Sequence, residues 1–309
     1  MSRMKKPWLA IALVLTGAAS YGLMAAVIKL AIADGWSVSR LTFHQILAGT
    51  VLLWLTLGVT RMRRKAPELA STWRAWLKLA LIGIVGLSLT AVFYNEALSR
   101  LDASLGIVLL FQFTWITILL ESIRKRRWPA SHEWVAVICI VIGTVLAVGL
   151  MEQDFSRLDG LGILFGLLSA VTYSLFFFLT GFLPKELDPI AKSAVMSTAS
   201  LAFIILLQFP AILTESYSAP LLGWGMMLGF LGTAFPFFCF NYGIPKIGSG
   251  LAALLGSMEL PAAVLAAFVL LDEPLTLAQG AGIALILAGI MAAQRKPQQA
   301  VTAGKEGEK

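Results

Sequence analysis

Charged residues are scarce in this chain. Asp, Glu, Lys and Arg make up 13% of its 309 residues, whereas 58% are hydrophobic, so the polar side chains are too few to coat a water-soluble surface. Cysteine and histidine are sparser still. Cys139 and Cys239 sit inside apolar runs, and His44 and His132 are isolated from them and from each other, which leaves no spacing for a metal site or a disulfide framework. No cofactor is expected. Also missing are a Gly-rich Walker loop, a zinc-type His-Glu arrangement and a Gly-x-Ser-x-Gly elbow. ATP hydrolysis and the familiar hydrolase chemistries therefore lack their apparatus, and the chain reads as a non-enzyme.

What the chain has is apolar runs. They fall at roughly 8–32, 40–60, 76–97, 103–122, 133–150, 160–182, 190–213, 221–243, 248–271 and 276–293, and about 20 apolar residues suffice to cross a hydrocarbon core roughly 30 Å thick. The predicted fold class is all-α, with ten transmembrane helices. The period-two alternation of barrel strands is absent. The first run follows Arg3, Lys5 and Lys6 in the manner of a signal peptide, but it continues to Ile32 and is expected to be retained.

The net charge of +7 comes in bursts between apolar runs, unlike the continuous stripe that nucleic acid requires. Counted from an internal N-terminus, one side receives Arg3 to Lys6, the cluster from Arg61 to Lys78, Arg124 to Arg127, Lys185, Lys192, Lys246 and the C-terminal lysines. The other side receives Arg40, Arg100 and Arg157, with Lys29 near the end of the first span. The positive-inside rule then predicts a multi-pass protein of the inner (plasma) membrane with both termini cytoplasmic.

An internal repeat organises the ten runs. A shift of 146 sets Gly83 on Gly229, Gly86 on Gly232, Asn95 on Asn241, Leu109 on Leu255, Glu133 on Gln279 and Gly143 on Gly289. A shift of 152 pairs Leu9 with Leu161, Tyr21 with Tyr173 and Arg40 with Lys192. Five helices per half is odd, so the second half must enter the membrane from the opposite side, giving a 5+5 inverted-repeat bundle with its solute site near the midplane. The expected units are 1–150, 151–294 and a disordered cytoplasmic tail at 295–309.

The sequence carries Ala19-Ser20-Tyr21-Gly22 with Lys29 in the first run, Tyr94-Asn95-Glu96-Ala97-Leu98 closing the third, Glu259-Leu260-Pro261 in the ninth and Asp272-Glu273-Pro274-Leu275 before the last. In this order and spacing, over about residues 8–294, the chain resembles the EamA-type ten-helix members of the drug/metabolite transporter superfamily. It departs from them at Tyr21, where Trp is frequent, at His44, where Arg is frequent, and at Leu260, which separates Glu259 from Pro261. The resemblance implies a secondary transporter with a central cavity, often an exporter of amino acids, other metabolites or drugs.

Glu259 is the leading site candidate, because an ionisable group in the bilayer requires a cavity or a partner. Ala252, Gly256, Ala263 and Ala266 share its face at helical spacing, while Leu251, Leu254, Leu255, Met258, Leu265 and Val269 form a face suited to lipid. Its readings are a structural carboxylate capping a neighbouring helix or bonded to a partner such as Asn95 or Asn241, a solute- or proton-binding group, and a side chain that faces outward. Pro261 would free the carbonyl of Ser257 beside it, and Pro236 bends the eighth helix, so both are hinge candidates. Gln112 and Trp115 share a face of the fourth helix and are candidate solute contacts, as are Asn95, Asn241 and the hydroxyls of Tyr21, Tyr94 and Tyr173, on helices that the family resemblance places around the cavity. His44 is a candidate for proton coupling near the external end of the second helix.

The expected function is secondary transport of a small organic solute, an amino acid, metabolite or drug, across the inner membrane, in the export direction, by alternating access between the inverted halves. The expected partners are that solute, membrane lipids and a coupling proton. The alternative is an integral membrane enzyme or flippase acting on a lipid-linked substrate. Such enzymes gather acids or histidines at one membrane face, whereas the acids here are scattered.

Overall fold

A computed structural model describes residues 7–63, 73–101, 103–149, 159–213 and 219–294. The predicted tail and residues 64–72 of the basic loop from Arg61 to Lys78 lie outside the described residues. The helices are α1 (Pro7–Ala33), α2 (Val38–Arg63), α3 (Trp73–Leu98), α4 (Ser104–Lys125), α5 (Ser131–Ala147), α6 (Gly160–Thr180), α7 (Pro189–Leu213), α8 (Ala219–Ile247), α9 (Ser249–Leu270) and α10 (Leu277–Ala293). Among the described residues there is no strand, and eight helices are long and apolar enough to cross a membrane. The other two, α5 and α10, are apolar helices of 17 residues, about 25 Å long.

The repeat seen in the sequence governs irregular structure as well as helices. A π turn at Ile84–Ser88 in α3 recurs at Phe230–Ala234 in α8, and a break at Phe111 and Gln112 in α4 recurs at Ser257 and Met258 in α9. Every one of these pairs is 146 residues apart. The segments IVGLS and FLGTA share only their central glycine, and the glycines explain the recurrence. A Cβ on Gly83 would run into the carbonyl of Met196 on α7, and one on Gly86 into Phe176 on α6. Their repeat mates Gly229 and Gly232 press on Gly49 and Gln45 of α2 and on Met24 of α1. In both halves a widened turn with no side chain lets two neighbouring helices close on it.

The packing order follows from these contacts. Helix α1 lies on α8, α8 on α2, α2 on α7, α7 on α3, α3 on α6, α6 on α4, α4 on α9, and α9 returns to α1. Eight helices thus form a ring, with α5 and α10 paired outside α4 and α9. Exchanging the halves maps this order onto itself, as an inverted repeat requires. Two four-helix bundles result, one of α1, α2, α8 and α9 and the other of α6, α7, α3 and α4. Each draws two helices from each half. Serine and threonine hydroxyls stitch within them: Ser20 Oγ donates to the Leu231 carbonyl at 2.8 Å, and Thr90 donates to Thr172, the repeat mate of Ser20 on α6, at 2.8 Å.

The two ends of the ring differ. At the end holding the N-terminus of α1, the last turns of α8 pack on α7 and the first turns of α9 pack on α6 and α4. At the opposite end the equivalent pairs, α2 with α3 and α1 with α4, make no comparable contact. The repeated asparagines register the difference, since Asn241 is 1% exposed at the closed end and Asn95 is exposed at the open one. Glu121 fastens the closed end. Its carboxylate accepts from Ser249 Oγ at 2.8 Å and from the backbone N–H of Gly250, capping α9, and it also pairs with Lys125.

One expected helix face is corrected. Leu254 and Leu255, read as lipid-facing, are buried, whereas Leu265 and Val269 are exposed. The first half of α9 is surrounded by α1, α4, α6, α8 and α10, so its large side chains fill the core, and the lipid-facing pattern holds only beyond Glu259.

Two outcomes are expected. Gly83→Ala places a methyl against backbone and should destabilise the protein by about 1–3 kcal/mol, whereas Gly58→Ala, with nothing within 4 Å of its added Cβ, should be neutral or stabilising. Thermal unfolding in detergent checks both. In a background with Cys139 and Cys239 replaced by alanine, Asn95→Cys should react with a hydrophilic thiol reagent and Asn241→Cys should resist it. Equal labelling would contradict the difference between the ends.

Candidate functional site

Near the middle of the bundle, α9 breaks and restarts at Glu259, about 15 Å from its first residue. The break is a tightened turn in which Ser257 N–H donates to Leu254 at 3.3 Å, Met258 to Leu255 at 3.1 Å and Leu260 to Ser257 at 3.3 Å. The expectation that Pro261 leaves the Ser257 carbonyl unpartnered is therefore corrected. Leu260 takes that carbonyl through a shorter-range bond, and the buried Pro261 continues the helix beyond it. Glu259 also stands at the start of a half-helix, at the positive end of the helix dipole, which favours a carboxylate.

The carboxylate bridges the two bundles. Tyr173 on α6 donates to Glu259 Oε2 across a long 3.5 Å contact, and Tyr21 on α1 and Tyr94 on α3 stand within range of its charge. Gly22 lets α1 close onto the Glu259 carbonyl and Ala263, which fixes the helix beneath the acid. Glu259, Tyr21 and Tyr94 are half-buried, whereas Tyr173 is buried. Among the described residues no basic side chain pairs with Glu259. The structure thus brings together Tyr21, Tyr94, Tyr173 and Glu259 from four helices far apart in sequence.

The other expected residues are placed elsewhere. Asn241 donates to Ser193 Oγ and to the Phe237 carbonyl, each at 3.1 Å, so it ties α8 to α7 at the closed end and does not reach Glu259. Asn95 is exposed at the open end. His44 is 2% exposed and hydrogen-bonded through Nδ1 to the Arg40 carbonyl at 2.9 Å, so it is packed in the protein interior. Its ring packs edge-on to Phe43 and its backbone against Gly225 of α8. Pro236 is buried two residues after the π turn of α8.

Gln112 has a structural task that the sequence did not disclose. At the α4 break its backbone N–H turns to Leu109 at 3.2 Å, and its side-chain Nε2 donates to Val108, the carbonyl that a regular helix would have satisfied with that N–H. Its Oε1 accepts from Trp115 Nε1 at 2.8 Å. Gln112 and Trp115 thereby form one braced unit.

Sequence reasoning passed over the aromatic floor. Phe113 is the repeat mate of Glu259 and lies 4.6 Å, centroid to centroid, from Tyr173, with Phe177 5.2 Å from both. The 146-residue shift was the signal that could have found it. Phe176 and Phe177 are buried in this cluster, which settles their placement as core. Glu121 was passed over because it precedes a run of basic residues that reads as a solvated helix end.

Replacing Gln112 with Leu leaves the Val108 carbonyl and the Trp115 N–H unpaired and should lower stability by about 1–3 kcal/mol. Gln112→Glu, which keeps the acceptor for Trp115 but sets an ionisable group against the Val108 carbonyl, should lose at least as much. Unfolding midpoints of the two variants check this.

Comparison with known proteins agrees with this architecture. The chain is 28% identical over 208 residues to a protein of Archaeoglobus fulgidus named an uncharacterized transporter, covering 67% of this chain and 73% of that one. It is 24% identical over 221 residues to the uncharacterized transporter YcbK of Bacillus subtilis, covering 70% of each. A crystal structure with 19% identity superposes with a TM-score of 0.71, covering 92% of this chain and 96% of the other, which shows a shared fold. The EamA-like transporter family matches twice, over residues 8–149 and 160–293, so that one match falls on each five-helix half. This multi-pass membrane protein belongs to the EamA-like transporter family.

Proposed function

We propose that the protein is a secondary transporter that exports a small organic solute across the inner membrane, with its site at Glu259 and the three tyrosines. The observation that carries the reading is a carboxylate lying between two four-helix bundles, midway along a ring that is closed at one end and open at the other. A solute seated there contacts both bundles at once. Rocking of one bundle against the other about the α2–α7 and α4–α9 contacts would close the open end and open the closed one. The moving bodies in this reading are the mixed bundles, not the sequence halves. The basic bursts support a cytoplasmic closed end, and the export direction follows the family resemblance. With no nucleotide-binding motif in the sequence, the driving force is a gradient of protons or of exchanged solute.

Reconstitution of the full chain in liposomes tests this. Radiolabelled amines, amino acids and organic acids are offered under proton, potential and exchange gradients. Uptake of at least one above protein-free liposomes is expected, with Glu259→Gln abolishing it. No movement of any of them under any gradient would overturn the reading.

A further inference from the structure

The surroundings of Glu259 narrow the class of solute, on the reading that this is the transport site. We propose that the site selects organic monocations, an ammonium group meeting the Glu259 carboxylate while its apolar body lies among the tyrosine rings. Three observations converge. The carboxylate's hydrogen bond to protein is the long one from Tyr173, and no Lys or Arg among the described residues pairs with it. A carboxylate in a low-dielectric interior is stabilised by an opposite charge, and here that charge has to arrive with the ligand or as a proton. Tyr21 and Tyr94, half-buried and one from each bundle, offer aromatic surface that attracts a cation while accepting its hydrocarbon part, and Tyr173 offers its hydroxyl.

The same surroundings offer little to an anion. Basic side chains are engaged toward the ends of the ring: Lys29 with Glu273, Arg100 with Glu96 and Asp159, and Lys125 with Glu121. Broken helices can present free N–H groups to a carboxylate, but here the breaks turn them inward. Gln112, Thr114, Ser257, Met258 and Leu260 each donate to a carbonyl within their own helix. A zwitterion would thus find its ammonium matched and its carboxylate met by phenolic hydroxyls alone.

A series that varies charge on one ring tests this. Calorimetry on the purified full chain compares 2-phenylethylamine, phenylalanine, 3-phenylpropionate and 2-phenylethanol. The amine is expected to bind at least about tenfold more tightly than any of the others, and Glu259→Gln to remove that preference. Should the variant fail to fold, the wild-type series decides alone. Binding of the anion or the alcohol as tightly as the amine, no saturable amine binding, or undiminished amine affinity in Glu259→Gln would each overturn the proposal. The last is the result expected of a group that carries only protons. The two readings fail separately. Transport without preference for the cation refutes the selectivity alone, whereas cation-selective binding without transport refutes the transporter reading and leaves the site.

Discussion

A carboxylate in the middle of a membrane protein has to be answered by something, and how it is answered constrains everything around it. Burying an unpaired ion in hydrocarbon costs several kcal/mol, so a helix carrying Glu259 cannot present it to lipid. In this structure the answer combines geometry and aromatic hydroxyls. Gly22 draws α1 against the backbone of α9, the helix break puts the acid at the positive end of a half-helix, and Tyr173 reaches across from the opposite bundle. None of these groups carries a positive charge, so the acid is accommodated but left chemically available.

The second constraint is close approach between helices. Lipid tails are as apolar as leucine, so helices in a bilayer gain from packing and hydrogen bonds more than from burying hydrophobic area. The ring depends on glycines where backbones meet: Gly83 and Gly86 seat α3 on α7 and α6, Gly229 and Gly232 seat α8 on α2 and α1, and Gly143 and Gly282 bring α5 and α10 together. Because each contact joins one half to the other, the five-helix repeat is a unit of sequence and not of packing.

Much of this was legible in the sequence. Hydropathy located the helices, and the glycines repeated at a shift of 146 residues mark the places where the structure has its matching π turns. Glu259 and the tyrosines stood out because polar groups are few. What stayed hidden depended on partners across the bundle. Asn95 and Asn241 are indistinguishable as repeat mates, yet one is exposed and the other tied to Ser193, since sequence symmetry does not record which end is closed. Gln112 looked like a free amide, and only the course of the α4 backbone shows the carbonyl it serves. Leu254 and Leu255 looked lipid-facing because helical spacing reports a face without saying how many neighbours surround it.

Glu121 sits on one side of this symmetry without a counterpart. Its repeat position is Ala267, so a carboxylate clasps the start of α9 at the closed end while the equivalent place at the open end holds a methyl group. An inverted repeat guarantees two conformations of similar shape. It does not make them equal in energy. With a latch on one side only, the vacant protein favours a single resting posture, and any solute that reverses it has to supply the difference from its own affinity.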